Sequence, residues 1–133
     1  FKDSIASLSQ VTRLEGNHLM AYHNLGLCYF RLKEYSHAEK MFHQVIKLDP
    51  GYGLCYFNLG LLYYNWSRYS DALLQYSNAM KAGFNKPILK YNMGLLYKAM
   101  GNKLQAKQMF EGLLREENRD FSTSEINMLL DQL

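Results

Sequence analysis

Proline is nearly missing from this chain. Only Pro50 and Pro87 occur in 133 residues, with 9 glycines. So few breakers exclude a frequently interrupted backbone and suit long helices joined by short turns. Cysteine is scarce too, and Cys28 and Cys55 form no C-x-x-C motif. Long apolar runs are lacking. The most apolar stretch, Leu54 to Tyr64, is broken by Asn58 and Gly60 and falls short of the roughly 20 residues of a membrane span. Direct membrane insertion is therefore not expected. Runs of one charge are absent as well. Arg13, Arg31, Lys33, Lys40, Lys47, Lys81, Lys86 and Lys90 are scattered, and the formal charge is +3. That reads as solvated helix faces, and nucleic acid is not expected as a partner. The start, Phe1-Lys2-Asp3-Ser4, has neither an initiator Met nor a signal peptide. The chain reads as an excised piece, which leaves the compartment open.

What is present is apolar and repetitive. An apolar share of 48% against 20% charged marks a folded chain rather than a disordered one. Asn24-Leu25-Gly26-Leu27-Cys28-Tyr29 returns as Asn58-Leu59-Gly60-Leu61-Leu62-Tyr63, and again as Asn92-Met93-Gly94-Leu95-Leu96-Tyr97. The step from 24 to 58 and from 58 to 92 is 34 residues each time. A fixed period of that size implies a stacked array, each unit burying its apolar face on the next.

Full units are expected at 19–52, 53–86 and 87–120, each a pair of helices. In the first, Tyr22, Leu25, Tyr29 and Leu32 form a helical stripe over 19–32. Ala38, Met41, Phe42, Val45 and Ile46 form a second stripe over 35–48, which Asp49-Pro50-Gly51 ends. Ala82-Gly83 with Pro87 closes the second unit, and Asn118-Arg119-Asp120 the third. Gly26, Gly60 and Gly94 lie in mid-helix, where Gly costs about 1 kcal/mol against Ala. Three such costs at one phase imply close helix approach, with small Ala38, Ala72 and Ala106 opposite and Phe42, Tyr76 and Phe110 filling the remaining space. Tyr29, Tyr63 and Tyr97 are expected between the two helices of a unit. Cys28 matches Leu62 and Leu96, and Cys55 matches Ala21 and Leu89, so both read as small core residues with reduced thiols.

The pattern resembles the tetratricopeptide repeat: an aromatic, then L-G-x-x-Y, then A-x-x-x-F, then Pro. The first unit reads Tyr22, Leu25-Gly26, Tyr29, Ala38, Phe42, Pro50. The second reads Tyr56, Leu59-Gly60, Tyr63, Ala72, Tyr76, with Phe84 where Pro is usual. The third reads Met93-Gly94, Tyr97, Ala106, Phe110, with Lys90 at the aromatic position and Asn118 at the Pro position. The resemblance runs without a gap over 19–120 and implies an all-α fold, an α-α superhelix (solenoid) of about seven to eight helices.

The flanks follow the same register. Residues 1–18 read as the second helix of a preceding, truncated unit, with Leu8, Val11 and Leu14 on its core face. Residues 121–133 read as a closing amphipathic helix. Ser122-Thr123-Ser124-Glu125 is a capping box, followed by Ile126, Leu129, Leu130 and Leu133 at i, i+3, i+4, i+7.

No constellation suggests chemistry. His18, His23, His37 and His43 include no i, i+4 pair and no carboxylate cluster, so they are expected at the surface and no metal site is expected. The mid-helix glycines are not a phosphate-cradling loop. No catalytic residue and no cofactor are expected; the chain reads as a non-enzyme.

The resemblance implies a concave groove lined by the first helix of each unit. Carried over, its residues are Met20, His23, Asn24, Leu27, Phe30 and Arg31. Leu54, Phe57, Asn58, Leu61, Tyr64 and Asn65 follow, then Ile88, Tyr91, Asn92, Leu95, Lys98 and Ala99. Asn24, Asn58 and Asn92 form a ladder able to pair with both N–H and C=O of an extended peptide. Leu27, Leu61, Leu95, Phe30, Phe57, Tyr64 and Tyr91 make the strip apolar, beside His23 and Arg31. Relatives that clamp the acidic tails of heat-shock chaperones use Lys and Asn, then Asn, then Lys and Arg. Here those places hold His23 and Leu27, then Asn58, then Ile88 and Asn92, so that clamp is not expected. The expectation is a protein-interaction scaffold binding an apolar or aromatic-rich peptide or helix. The rivals are a homo-oligomer joined by end faces or swapped helices, and the targeting or regulatory segment of a larger protein or enzyme.

Overall fold

A computed structural model describes residues 4–6, 9, 19–116 and 120–133. The expectations placed on Leu8, Val11, Leu14, His18 and Asn118-Arg119 lie outside these residues. Residues 4–6 and 9 are helical, and seven helices follow: α1 Leu19–Arg31, α2 Tyr35–Leu48, α3 Gly53–Asn65, α4 Tyr69–Lys81, α5 Pro87–Ala99, α6 Lys103–Arg115 and α7 Thr123–Asp131. Among the described residues there is no strand, and no helix is long and apolar enough to cross a membrane.

The packing is that of an α-α superhelix. α1 packs on α2, α3 on α4 and α5 on α6, and each pair leans on the next through α2–α3 and α4–α5. α7 packs on α6. The turn inside each pair repeats. Lys33 (φ 60), Ser67 (φ 58) and Gly101 (φ 78) all take the left-handed conformation. After each, a backbone N–H reaches back to the carbonyl of the repeated tyrosine. Glu34 N donates to Tyr29 O at 2.9 Å, Arg68 N to Tyr63 O at 2.8 Å and Asn102 N to Tyr97 O at 2.8 Å. This closes the orphan carbonyls of the first helix in a Schellman arrangement.

The mid-helix glycines meet aromatic rings directly. A β-carbon at Gly26 would stand 2.5 Å from the Phe42 ring, and one at Gly94 2.5 Å from that of Phe110. One at Gly60 would overlap Tyr76. The close approach comes from the ring itself seated on the helix backbone, while Ala38, Ala72 and Ala106 are buried beside it. Leu59, Leu62 and Leu96 are fully buried around these contacts, each worth about 1.5–3 kcal/mol of burial.

Tyr63 ties one pair to the next. Its hydroxyl donates to Glu39 on α2 at 2.5 Å, and Arg68 lies over its ring at 4.6 Å and over Trp66 at 4.7 Å. Arg68 also donates to Asp71 at 2.9 Å. Burial, chiefly, and Glu39 push the Tyr63 phenol above its ordinary range. Cys28 and Cys55 are free thiols. The Cys55 thiol donates to the Phe42 carbonyl at 3.4 Å, and burial pushes it up to about 12.

The closing helix begins with its capping box. Ser122 Oγ accepts from Glu125 N at 3.2 Å, and Ser122 N donates to Glu125 Oε2 at 3.3 Å. Ile126 is buried in a second apolar cluster with Ala106, Phe110 and Leu113, against which Leu129, Leu130 and Leu133 also pack.

Candidate interaction surface

The first helices α1, α3 and α5 carry the expected groove residues, and they divide into three columns. The first is His23, Phe57 and Tyr91, one per unit. Each stands between two rings: that of its own unit's second helix and one from the segment that follows. His23 lies 5.8 Å from Phe42 and 5.5 Å from Tyr52, centroid to centroid. Phe57 lies 5.8 Å from Tyr76 and 5.0 Å from Phe84. Tyr91 lies 6.5 Å from Phe110 and stacks at 4.3 Å on Phe121. His23 is 3% exposed and Phe57 6%, so neither is a surface residue. This corrects the expectation that His23 lies at the surface and the placing of His23 and Phe57 in a groove, whereas Tyr91 is half-buried. The aromatic sandwich holds His23 and Phe57 within the core.

The second column is Asn24, Asn58 and Asn92, and its members differ. Asn24 is exposed. Asn58 is buried, and its Nδ2 faces His23 Nε2 at 2.9 Å. Asn92 is half-buried and donates its Nδ2 to the Ile88 carbonyl at 2.8 Å, one turn back on its own helix. The uniform ladder of two-handed amides is therefore corrected: among the described residues, Asn24 alone of the three keeps both halves of its amide unengaged. Burial lowers the pKa of His23.

The third column is Leu27, Leu61 and Leu95, all half-buried. Phe30 and Tyr64 flank it, each half-buried and resting on the first residue of the partner helix. Phe30 meets Tyr35 edge-on at 6.2 Å, and Tyr64 meets Tyr69 at 5.6 Å. In the third unit Lys98 stands at that place and donates to Gln132 at 2.7 Å. Arg31 is exposed, as is Met20, whose sulfur accepts from the Tyr52 hydroxyl at 3.9 Å. Leu95 belongs to the apolar cluster closed by α7, so the chain's own last helix occupies the third unit's share of this face.

The three aromatic sandwiches were missed at the sequence level, though their signal is visible there. Tyr52, Phe84 and Phe121 each follow the second helix of a unit, where a loop residue would ordinarily be polar.

Residues 20–52 and 89–117 each match the tetratricopeptide repeat. The sequence matches no curated protein. Among solved structures, one of MamA superposes with a TM-score of 0.80 at 26% identity, covering 85% of this chain and 66% of that one. This chain thus spans just under two thirds of that MamA structure. YrrB, a tetratricopeptide protein with an unusual peptide-binding site, superposes with a TM-score of 0.78 at 16% identity, covering 92% of this chain and 62% of that one. The type III secretion chaperone SycD of Yersinia enterocolitica, in complex with a peptide of the translocator YopD, gives 0.76 at 17% identity, with 86% and 90% covered. Helix pairs of 34-residue period, glycines seated on rings and two matching repeats lead to one assignment: the chain belongs to the tetratricopeptide-repeat family.

Proposed function

We propose that this protein-interaction module is a non-catalytic scaffold that holds an apolar or aromatic-rich segment of a partner along the faces of α1 and α3. One observation carries the reading. Leu27 and Leu61 stay half-buried, while Leu25 and Leu59, two residues earlier and on another side of the helix, are sealed. With Phe30 and Tyr64 beside them and Asn24 at the edge, they form an apolar strip with a polar margin, the composition of a peptide-docking surface. The folds shared with YrrB and SycD, both described as binding peptides, lend support.

The test is selection of binders from a displayed random-peptide library, followed by Leu27→Lys and Leu61→Lys in one variant. Binding is expected to fall at least tenfold while the helical circular dichroism is unchanged. Undiminished binding overturns the reading.

A second reading has its own observation. Leu104 is 65% exposed and lines a cavity of about 440 Å³ with Leu130, Leu133, Lys103, Lys107 and Glu111, at the α7 end of the array. Self-association through this end face would cover it. Sedimentation at several concentrations decides the matter, and a monomer at high concentration rules it out.

A further inference from the structure

The contact between His23 and Asn58 joins α1 to α3 in the middle of the proposed docking surface. An amide nitrogen only donates, so Nδ2 of Asn58 gives its hydrogen to Nε2 of His23 at 2.9 Å. Nε2 then has no hydrogen, and the neutral ring carries its proton on Nδ1. That Nδ1 is buried with no partner among the described residues. Oδ1 of Asn58 has no partner there either, and the residue keeps 9% of its surface exposed. Asn92 has likewise committed its Nδ2, to the Ile88 carbonyl. In both, the nitrogen is engaged and the oxygen is not.

We propose that His23 is the positioning residue that makes Asn58 a hydrogen-bond acceptor on the docking surface, and that protonating His23 reverses this polarity. The proposal rests on the docking reading above for its ligand, though not for its chemistry. With a proton on Nε2 the ring can no longer accept. The Asn58 amide must turn by half a revolution so that Oδ1 faces Nε2–H, and Nδ2 then points outward as a donor. A partner whose backbone N–H was held by Oδ1 meets a second donor and loses the bond.

Nothing charged among the described residues competes for the ring. From α2 it meets Phe42, and from the α2–α3 loop Tyr52, whose hydroxyl donates to Met20 of α1. From α3 it meets Asn58. Burial alone keeps the ring neutral at ordinary pH, so the acceptor state is the resting state and acid brings on the other. The kind of partner follows. It presents a backbone N–H of an extended segment toward Asn58, with apolar side chains toward Leu27 and Leu61.

The first measurement needs no ligand. In nitrogen-15 NMR of the free protein, His23 should carry its proton on Nδ1 at about pH 7.5. Asn58→Asp should raise the His23 midpoint by more than about one unit, because a carboxylate then faces Nε2. A proton on Nε2 at neutral pH, or an unmoved midpoint in N58D, overturns the proposal. The second measurement uses peptides selected at neutral pH from a displayed random library. They should bind about tenfold more weakly below the His23 midpoint. His23→Gln, whose side-chain oxygen accepts from Asn58 without titrating, should bind equally at both pH values. An equal acid loss in H23Q overturns the switch. Failure to select any peptide counts against the docking reading, and the tautomer and midpoint then decide the His23 proposal by themselves.

Discussion

The ring of Tyr76 rests on the backbone of α3 at Gly60, in the space a β-carbon would need. Gly60→Ala is expected to destabilise by about 1–3 kcal/mol, because the ring is fully buried and has nowhere to move. Gly112, inside α6, has no atom within 4 Å of its would-be β-carbon. Gly112→Ala should therefore stabilise by about 1 kcal/mol, the plain helix-propensity gain. Urea unfolding of the two variants checks the opposite signs. The same sign in both would show that propensity, not the ring contact, governs these glycines.

Tyr76 itself carries a cost. Its hydroxyl is buried without a partner among the described residues, and burial raises its pKa. The equivalent residues are Phe42 and Phe110. Tyr76→Phe removes an unsatisfied donor and keeps the ring, so stability should rise by about 1 kcal/mol. A lower thermal midpoint would mean that the hydroxyl has a bonded water.

The turns inside the helix pairs differ in strain. Ser67 takes φ 58 at the place where Gly101 takes φ 78. Ser67→Gly should stabilise by about 0.5–1 kcal/mol, and Gly101→Ser should cost a similar amount. Thermal unfolding of both variants reads this out, and a loss in the first would contradict the left-handed assignment.

Burial depresses the His23 pKa below its unfolded value near 6.5. The folded state then binds fewer protons than the unfolded chain. The sign is that stability falls as pH drops through about 6.5 and levels off once the folded midpoint is passed. His23→Gln should flatten that part of the stability–pH curve, as chemical denaturation at several pH values would reveal. An unchanged slope in H23Q would assign the acid sensitivity to other groups.

The sequence disclosed the array because its period is set by backbone needs that only particular residues meet. Gly60 must lack a side chain for Tyr76 to approach, and Ser122 with Glu125 must close a helix start. Such requirements are local and recur with the period, so one chain reveals them. The docking surface was less legible. Whether His23, Phe57 or Tyr91 faces inward depends on Tyr52, Phe84 and Phe121, which lie 29, 27 and 30 residues further on and outside the 34-residue echo. The Asn58 amide is engaged only because His23, an aromatic's substitute in that column, offers a ring nitrogen. Position on a helix assigned these side chains to a face, but a neighbour's chemistry decided whether they were free.

The closing helix is out of step with the units before it. The buried places of α5, at Leu89, Met93 and Leu96, would recur in register at Thr123, Asn127 and Leu130. Along α7 and just past its end the apolar side chains of that spacing are instead Ile126, Leu130 and Leu133. Counted from Ile126, Asp131 then falls where Gly26, Gly60 and Gly94 admit a ring. A further helix with an aromatic like Phe110 cannot seat on α7 as α6 seats on α5. Lengthening this protein by duplication is therefore open at the junctions after residues 52 and 86, where the units stay in phase, and an inserted unit there would find the same ring-on-glycine seat on both sides.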